Sequence, residues 1–316
     1  MKGSLRGATL FRGLAPVACL VFVVLLCLPP AAAQAAAERP PVGIGIIIDG
    51  DAEGEPSQMI RARELLLQGV KQEILALTRQ EFDVSFPPEK QLSGEWEIES
   101  IRRALDALLE DPEVDLVLAF GPLSTSVACG RPVLPKPVIA PFLIDLEAQQ
   151  APFDGQASGR HNLNYSTIPV SLKQQIERVR ELVGFETVHC VVDRLIGEIE
   201  PEIRARTLRL TREAGALGVP VPLSTRAAEA LDALPDDTEA VFILPLPRLS
   251  PRELQRLMRG INERKIPSLS WFGIDLLRDG ALMALSGETS LPRLARRVAL
   301  NVQRTLLGED PGASSI

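Results

Sequence analysis

Apolar residues along this chain follow two alternating periods. Short continuous runs, VGIGIII (42–48), EFDVSF (81–86), VDLVLAF (114–120) and PVIAPFLI (137–144), read as strands buried on both faces. Between them lie longer stretches of helical period, 57–78 and 95–112. In the first of these, Ile60, Leu67, Val70, Ile74 and Leu77 fall on one face, and Ser57 after Pro56 supplies a cap. The rhythm resumes after SGRHNLNYSTIP (158–169). A helix over 170–184 leads to the strand TVHCVVD (187–193), and a helix over 200–218 ending at Gly218 leads to VPVPLS (219–224). RAAEALDAL (226–234) precedes EAVFILPLP (239–247), and a helix over 250–265 opens with Ser250 as cap and Pro251 in its first turn. IPSLSWFG, GALMALSG and a last helix over 290–309 complete the pattern.

Strand followed by helix recurs about four times in each half. Such alternation predicts parallel sheets covered on both faces, so the fold class is α/β with two similar Rossmann-like lobes and a polar connector near 155–169. The expected boundaries are a first lobe over 38–157, a second over 158–280, and a return strand with a final helix over 281–316.

The first 37 residues stand apart from this pattern. Lys2, Arg6 and Arg12 precede the apolar run LAPVACLVFVVLLCLPP, and AAAQAAAER follows with the small residues that signal peptidase requires. The run is short and broken by Pro16, Pro29 and Pro30, which argues for a cleaved leader over a retained span. Export to the periplasm with cleavage near Ala33 to Ala37 is the expectation. Lipid anchoring at Cys27 is disfavoured, because Leu26 stands where a small residue is wanted.

Composition then narrows the partners. The chain of 316 residues carries a net charge of −7, and removing the leader takes away three bases and no acids. That balance, with aromatics at only 4%, argues against nucleic acid. Of four cysteines only Cys129 and Cys190 lie outside the leader, in a helical and a strand context; two buried thiols are expected, with a disulfide between them as the alternative. His161 and His189 lack spaced Cys or carboxylate companions, so no metal or other cofactor is expected.

Ligands of parallel α/β sheets gather at the carboxyl edge of the strands. AFGPLSTSVA (119–128) breaks at Gly121-Pro122, and Ser124, Thr125 and Ser126 follow where a helix begins; they read as a helix cap or as an anion cradle. GIIIDGDAE places Asp49 and Asp51 at another strand end. This resembles the opening Asp-x-Asp motif of haloacid-dehalogenase-type phosphatases. In that alternative the two acids work with Mg²⁺, Asp275 or Asp279 closes the site and Lys136 or Lys265 steadies the phosphate. Glu53 stands where that motif has Thr or Val, and its added charge repels a phosphate. The competing reading makes Asp49 part of a cleft rim, touching a ligand or bracing the loop, with Asp51 and Glu53 facing water. Trp96 and Trp271 are candidates to stack on a ligand, Trp271 the better of the two because Phe272-Gly273 follows it at a strand end. Arg293, Arg296, Arg297 and Arg304 line the last helix as a solvated basic face, or as a docking surface for a membrane partner.

Two segments carry a wider resemblance. VDLVLAFGPLSTSVA, and the ending FGIDLLRDGALMALSGETSLPRLARRVALNVQRTLLGEDPG with its long helix closing in L-x-G-E-x-P, are similar to ABC-transporter substrate-binding proteins of the type I periplasmic class. The better-known members of the most similar subfamily bind aromatic amino acids. The resemblance implies two lobes joined by a hinge, a small molecule in the cleft between them, an inner-membrane ABC permease as partner and no catalysis. By position, Gly121, Ser124 and Thr125 line the first lobe and Pro141 and Phe142 form a second wall. Asp193, the Pro245 region and Phe272-Gly273 face them from the second lobe. The chain stops at GASSI, where the resembled proteins continue with another strand and helix. An envelope accessory protein that kept the fold and lost its ligand is the third reading.

Overall fold

A computed structural model of the chain describes residues 39–51, 57–147, 149–167, 172–194, 201–270, 275–284 and 291–315. The first lobe runs β1 (Pro41–Ile48), α1 (Gln58–Thr78), β2 (Asp83–Ser85), β3 (Gln91–Ser93), α2 (Ile98–Glu110), β4 (Leu116–Ala119), α3 (Pro122–Gly130), β5 (Val138–Leu143) and β6 (Leu163–Thr167). Its parallel sheet has the order β2-β1-β4-β5-β6. β3 extends the flank of β1 that β2 begins, since residues 41–43 pair with β2 and 46–48 with β3. Pro141 has no N–H to give the ladder, and the register between β5 and β6 shifts between Ala140 and Leu143.

The period-2 alternation inside these apolar strands decides what covers each face. Ile47, Val117, Ala119, Val138 and Ala140 pack under α2 and α3. Val42, Ile44, Ile46, Leu116 and Leu118 point the other way and pack under α1. Each of these valines, leucines and isoleucines contributes about 1.5–3 kcal/mol when taken out of water.

The second lobe runs α4 (Leu172–Val183), β7 (Thr187–Asp193), α5 (Pro201–Glu213), β8 (Leu217–Leu223), α6 (Ala227–Ala233), β9 (Val241–Ile243), α7 (Pro251–Glu263), β10 (Ser268–Ser270), α8 (Asp275–Arg278) and β11 (Met283–Ala284). Its parallel sheet has the order β11-β10-β9-β7-β8. Val191, Val221, Val241 and Ile243 face α6 and α7, while Val188, Cys190, Val192 and Phe242 face α4 and α5.

The final helix α9 (Leu291–Leu306) does not stay with the second lobe. Ala295, Val298, Ala299 and Val302 enter the same core as Ile44, Val70 and Ile74, so α9 lies beside α1 on the first lobe. Asn301, 6% exposed, donates its side-chain amide to Asn164 of β6 at 2.7 Å, and Asn164 donates to the carbonyl of Ser314 at 3.3 Å. The chain therefore leaves the first lobe after β6 and rejoins it at α9.

Three expectations need correction. Residues 163–167, assigned to the second lobe by a boundary at 158, pair with β5 and belong to the first sheet. The helix expected over 200–218 ends earlier, because Gly215 takes a left-handed φ of +80° and lets β8 begin at Leu217. The helix expected from residue 95 begins at Ile98, because Glu95 and Trp96 turn with φ of 53° and 60°. The caps stand as read: Ser57 accepts from the N–H of Ile60 at 3.2 Å and Ser250 from that of Glu253 at 3.3 Å. Cys129 and Cys190 are buried free thiols, and burial pushes each up to about 12.

Candidate functional site

The carboxyl edge of the first sheet is organised around one buried acid. Asp49 follows β1 and is 2% exposed. It accepts from the N–H of Leu123 at 2.9 Å and from the N–H of Ser124 at 2.8 Å, one to each oxygen. These are free amides of the first turn of α3, which no earlier carbonyl satisfies. The carboxylate thus fills the positive end of that helix. Gly121 makes the approach possible, since a Cβ there would overlap the Asp49 carboxylate. Burial raises the Asp49 pKa above the usual carboxylate value, against the lowering pull of the Leu123 and Ser124 hydrogen bonds and, more weakly, of Arg63.

The other first-lobe candidates gather on this cradle. Ser124 donates its hydroxyl to the carbonyl of Gly121 at 3.1 Å, and Thr125, fully buried, donates to that of Ala119 at 3.5 Å. Trp96 closes the opposite side. Its ring lies where a Cβ on Gly50 would stand, and its indole N–H donates to the carbonyl of Asp51 at 3.0 Å. Arg63 donates to the carbonyl of Gly50 at 2.6 Å and stands 3.8 Å from the largely exposed carboxylate of Asp51. Asp49 and Asp51 therefore face different surroundings, one an inward cradle and the other solvent. Among the described residues no group of three metal-ligating side chains comes together. Phe142 is half-buried and edge-on to Phe120, with ring centres 5.0 Å apart, in the core shared with α1 and α9.

A second loop is locked onto the cradle. Gln149, 4% exposed, accepts from the N–H of Ile144 at 2.6 Å, and donates to the carbonyl of Pro122 at 3.2 Å and to the hydroxyl of Ser126 at 2.7 Å. That holds the segment after β5, with Asp145 and Glu147, beside the start of α3.

The second lobe answers with a buried acid of its own. Asp193 ends β7 and is 1% exposed. Arg248 binds it through Nε, 3.1 Å from each oxygen, and through Nη2 at 2.6 Å from Oδ1. This fork-on-carboxylate geometry is the strong form of an ion pair. The two edges meet through α5. Arg206 lies 3.5 Å from Asp145 and 3.0 Å from Glu147, and Arg209 lies 3.0 Å from Glu147. The strand edges bearing Asp49 and Asp193 thus belong to lobes that touch through four charged side chains.

No protein-family model matches the sequence, and no curated protein does. Solved structures do match in shape. An ABC domain in complex with L-Trp from Streptococcus pneumoniae is 13% identical, covers 87% of this chain and 88% of its own, and superposes with a TM-score of 0.64. A conserved domain protein from Vibrio cholerae is 14% identical with 88% of each chain covered and a TM-score of 0.63. A leucine-binding protein from Thermotoga maritima is 12% identical over 85% of this chain and 83% of its own, with a TM-score of 0.55. The chain has the type I periplasmic-binding-protein fold, the fold of ABC-transporter substrate-binding proteins.

Within the type I fold, Asp49, Gly121, Ser124 and Thr125 come together on one lobe, and Asp193 lies on the other. Trp271 and Phe272 lie outside the described residues. Pro245 and Leu246 connect β9 to the turn that carries Arg248. Several residues of this arrangement escaped the sequence reading. Arg248 sits in PLPRLSP, where a lone Arg among prolines is the only signal. Arg206 and Arg209 carry none, and neither do the bonds of Gln149 to Pro122 and Ser126, because these partners are 23 or more residues away. Trp96 stands out in the sequence as a candidate stacking residue, but its position against Gly50 depends on a backbone turn that no local pattern announces.

Proposed function

We propose that this protein is an exported solute-binding protein of an ABC-type uptake system, taking a small molecule between its two lobes without chemical change. The observation that carries the reading is the contact of α5 with the segment after β5. It ties the segment after β5, in the lobe of Asp49 and Trp96, to α5 in the lobe of Asp193 and Arg248. Lobes joined by chain crossings can close on a solute and present a changed outer surface to a permease. Amino acids are the first solutes to try, because structures of this fold hold L-Trp and Leu. The leader over 1–37 carries the export part of the proposal, and among the described residues no helix is long and apolar enough to cross a membrane.

Asp49, Gly121, Ser124, Thr125 and Phe142 are proposed for the first wall, with Asp193, Trp271 and Phe272 for the second. Asp49, Ser124 and Thr125 act by shaping the edge, since their polar atoms are spent on backbone groups. Thermal-shift screening of the leader-free protein against amino acids and other small metabolites tests the proposal. Stabilisation by a chemically related subset supports it. A flat response to every solute, with Mg²⁺-dependent phosphatase activity that Asp49→Asn abolishes, overturns it.

A further inference from the structure

The first-lobe edge spends its hydrogen-bond donors on itself. The amides of Leu123 and Ser124 go to Asp49, and the Ser124 hydroxyl goes to Gly121. The indole N–H of Trp96 goes to Asp51, and the Gln149 amide goes to Pro122 and Ser126. Exposed on the same edge are the acids Asp51 and Glu95. The start of a helix after a strand would otherwise offer free amides and a positive dipole to a ligand's acid group. Here a carboxylate 2% exposed already occupies those amides, and Gly121 is shaped to admit it. An incoming anion would meet donors already bonded and a side chain already seated on them.

We propose that Asp49 is an anion-excluding specificity residue: it stands in for a ligand carboxylate at α3, so that the first lobe reads a neutral or cationic, donor-bearing end of the solute. This rests on the solute-binding reading and names its substrate class. Any acid group of the solute is left to the second lobe, where Arg194 is about half exposed beside Glu229.

Chemical replacement of the deleted side chain tests this without knowing the solute. Asp49→Gly removes a group with the shape and charge of acetate and vacates the amides of Leu123 and Ser124. Sodium acetate at about 100 mM, against sodium chloride of equal ionic strength, is expected to raise the melting temperature of Asp49→Gly by roughly 2–4 °C. The wild type is expected not to respond, and neither is Asp49→Asn, whose side chain still fills the cradle. If Asp49→Gly folds poorly, the same comparison is made on its refolding yield with acetate and with chloride. An Asp49→Gly protein indifferent to acetate, or a wild type equally stabilised by it, overturns the inference. Failure of the solute-binding reading is a separate result: a wild type that responds to no solute, whatever the variant does with acetate.

Discussion

The carboxylate of Asp49 accepts the backbone N–H of Ser124 at 2.8 Å, across 75 residues of sequence. It ties the end of β1 to the start of α3 and sets the shape of the first-lobe edge. Two effects compete at this acid. Burial favours its neutral form, and the helix amides favour the ion; burial prevails, so the pKa is raised.

The sign of the pH dependence follows. A folded-state pKa above the unfolded value means that the folded chain holds the proton more tightly. The stability this contributes is full below an unfolded value of about 3.9 and is lost as pH rises through the folded value. Asp49→Asn has no such titration. Urea unfolding of both proteins at about pH 4 and pH 7 is expected to show the wild type losing ground to Asp49→Asn at the higher pH. A difference that grows in favour of the wild type would mean that the two amides outweigh burial.

Arg248 is expected to matter to the second lobe as Asp49 does to the first. Removing one partner of a buried pair leaves the other charge desolvated, at about 3–5 kcal/mol. Because Arg248 is itself about a quarter exposed, Arg248→Ala is expected to fall at the lower end, near 3 kcal/mol. Arg248→Lys keeps the charge but loses the fork and is expected to cost less than half as much. Chemical denaturation measures both, and equal losses in the two variants would contradict the bidentate role.

The ion pairs between lobes should govern shape more than stability. Glu147 is largely exposed and Arg206 about a quarter exposed, so each pair is worth up to about 1 kcal/mol and is weakened by salt. Reversing both cations, Arg206→Glu with Arg209→Glu, is expected to separate the lobes and raise the radius of gyration in solution scattering. The wild type in molar salt should move the same way by a smaller amount. Identical scattering curves would show that the lobes are held by their chain crossings alone.

Much of this architecture was legible because buried parallel strands and amphipathic helices leave distinct periods. Ile44, Ile46, Leu116 and Leu118 had to be core, and Ser57 and Ser250 had to cap. What escaped detection depends on partners far apart in the chain. QLS at 91–93 becomes a strand only because Ile46–Ile48 offers an unpaired flank. The apolar face of α9 shows that it packs, but nothing in its period says on which lobe. Asp49 was legible as the acid that ends β1, while its bonds to the α3 amides were not, since these are contributed by another strand-helix turn. Arg248 and Asp193 are 55 residues apart and share no local pattern.

His189 adds a pH response at the other end of the second lobe. It is 7% exposed in β7, its Nδ1 has no hydrogen-bond partner, and Asp237, Glu239 and Arg264 surround it. Burial lowers its pKa, so the folded state disfavours the charged ring. The stability this contributes is full above an unfolded value of about 6.5 and is lost as pH falls through the lowered folded value. His189→Gln is expected to flatten the acid limb of a melting-temperature profile between about pH 7 and pH 5. An unchanged limb would assign the acid sensitivity to other groups.

The central claim is that a solute sits between the lobes and touches both. Calorimetric titration with the solute that stabilises the protein most tests it directly, using wild type, Trp96→Ala from the first edge and Arg248→Lys from the second. The account predicts one solute per chain and an affinity that drops about tenfold or more in each variant, a loss near 1.4 kcal/mol. No binding by the wild type, or binding that neither variant weakens, would contradict it.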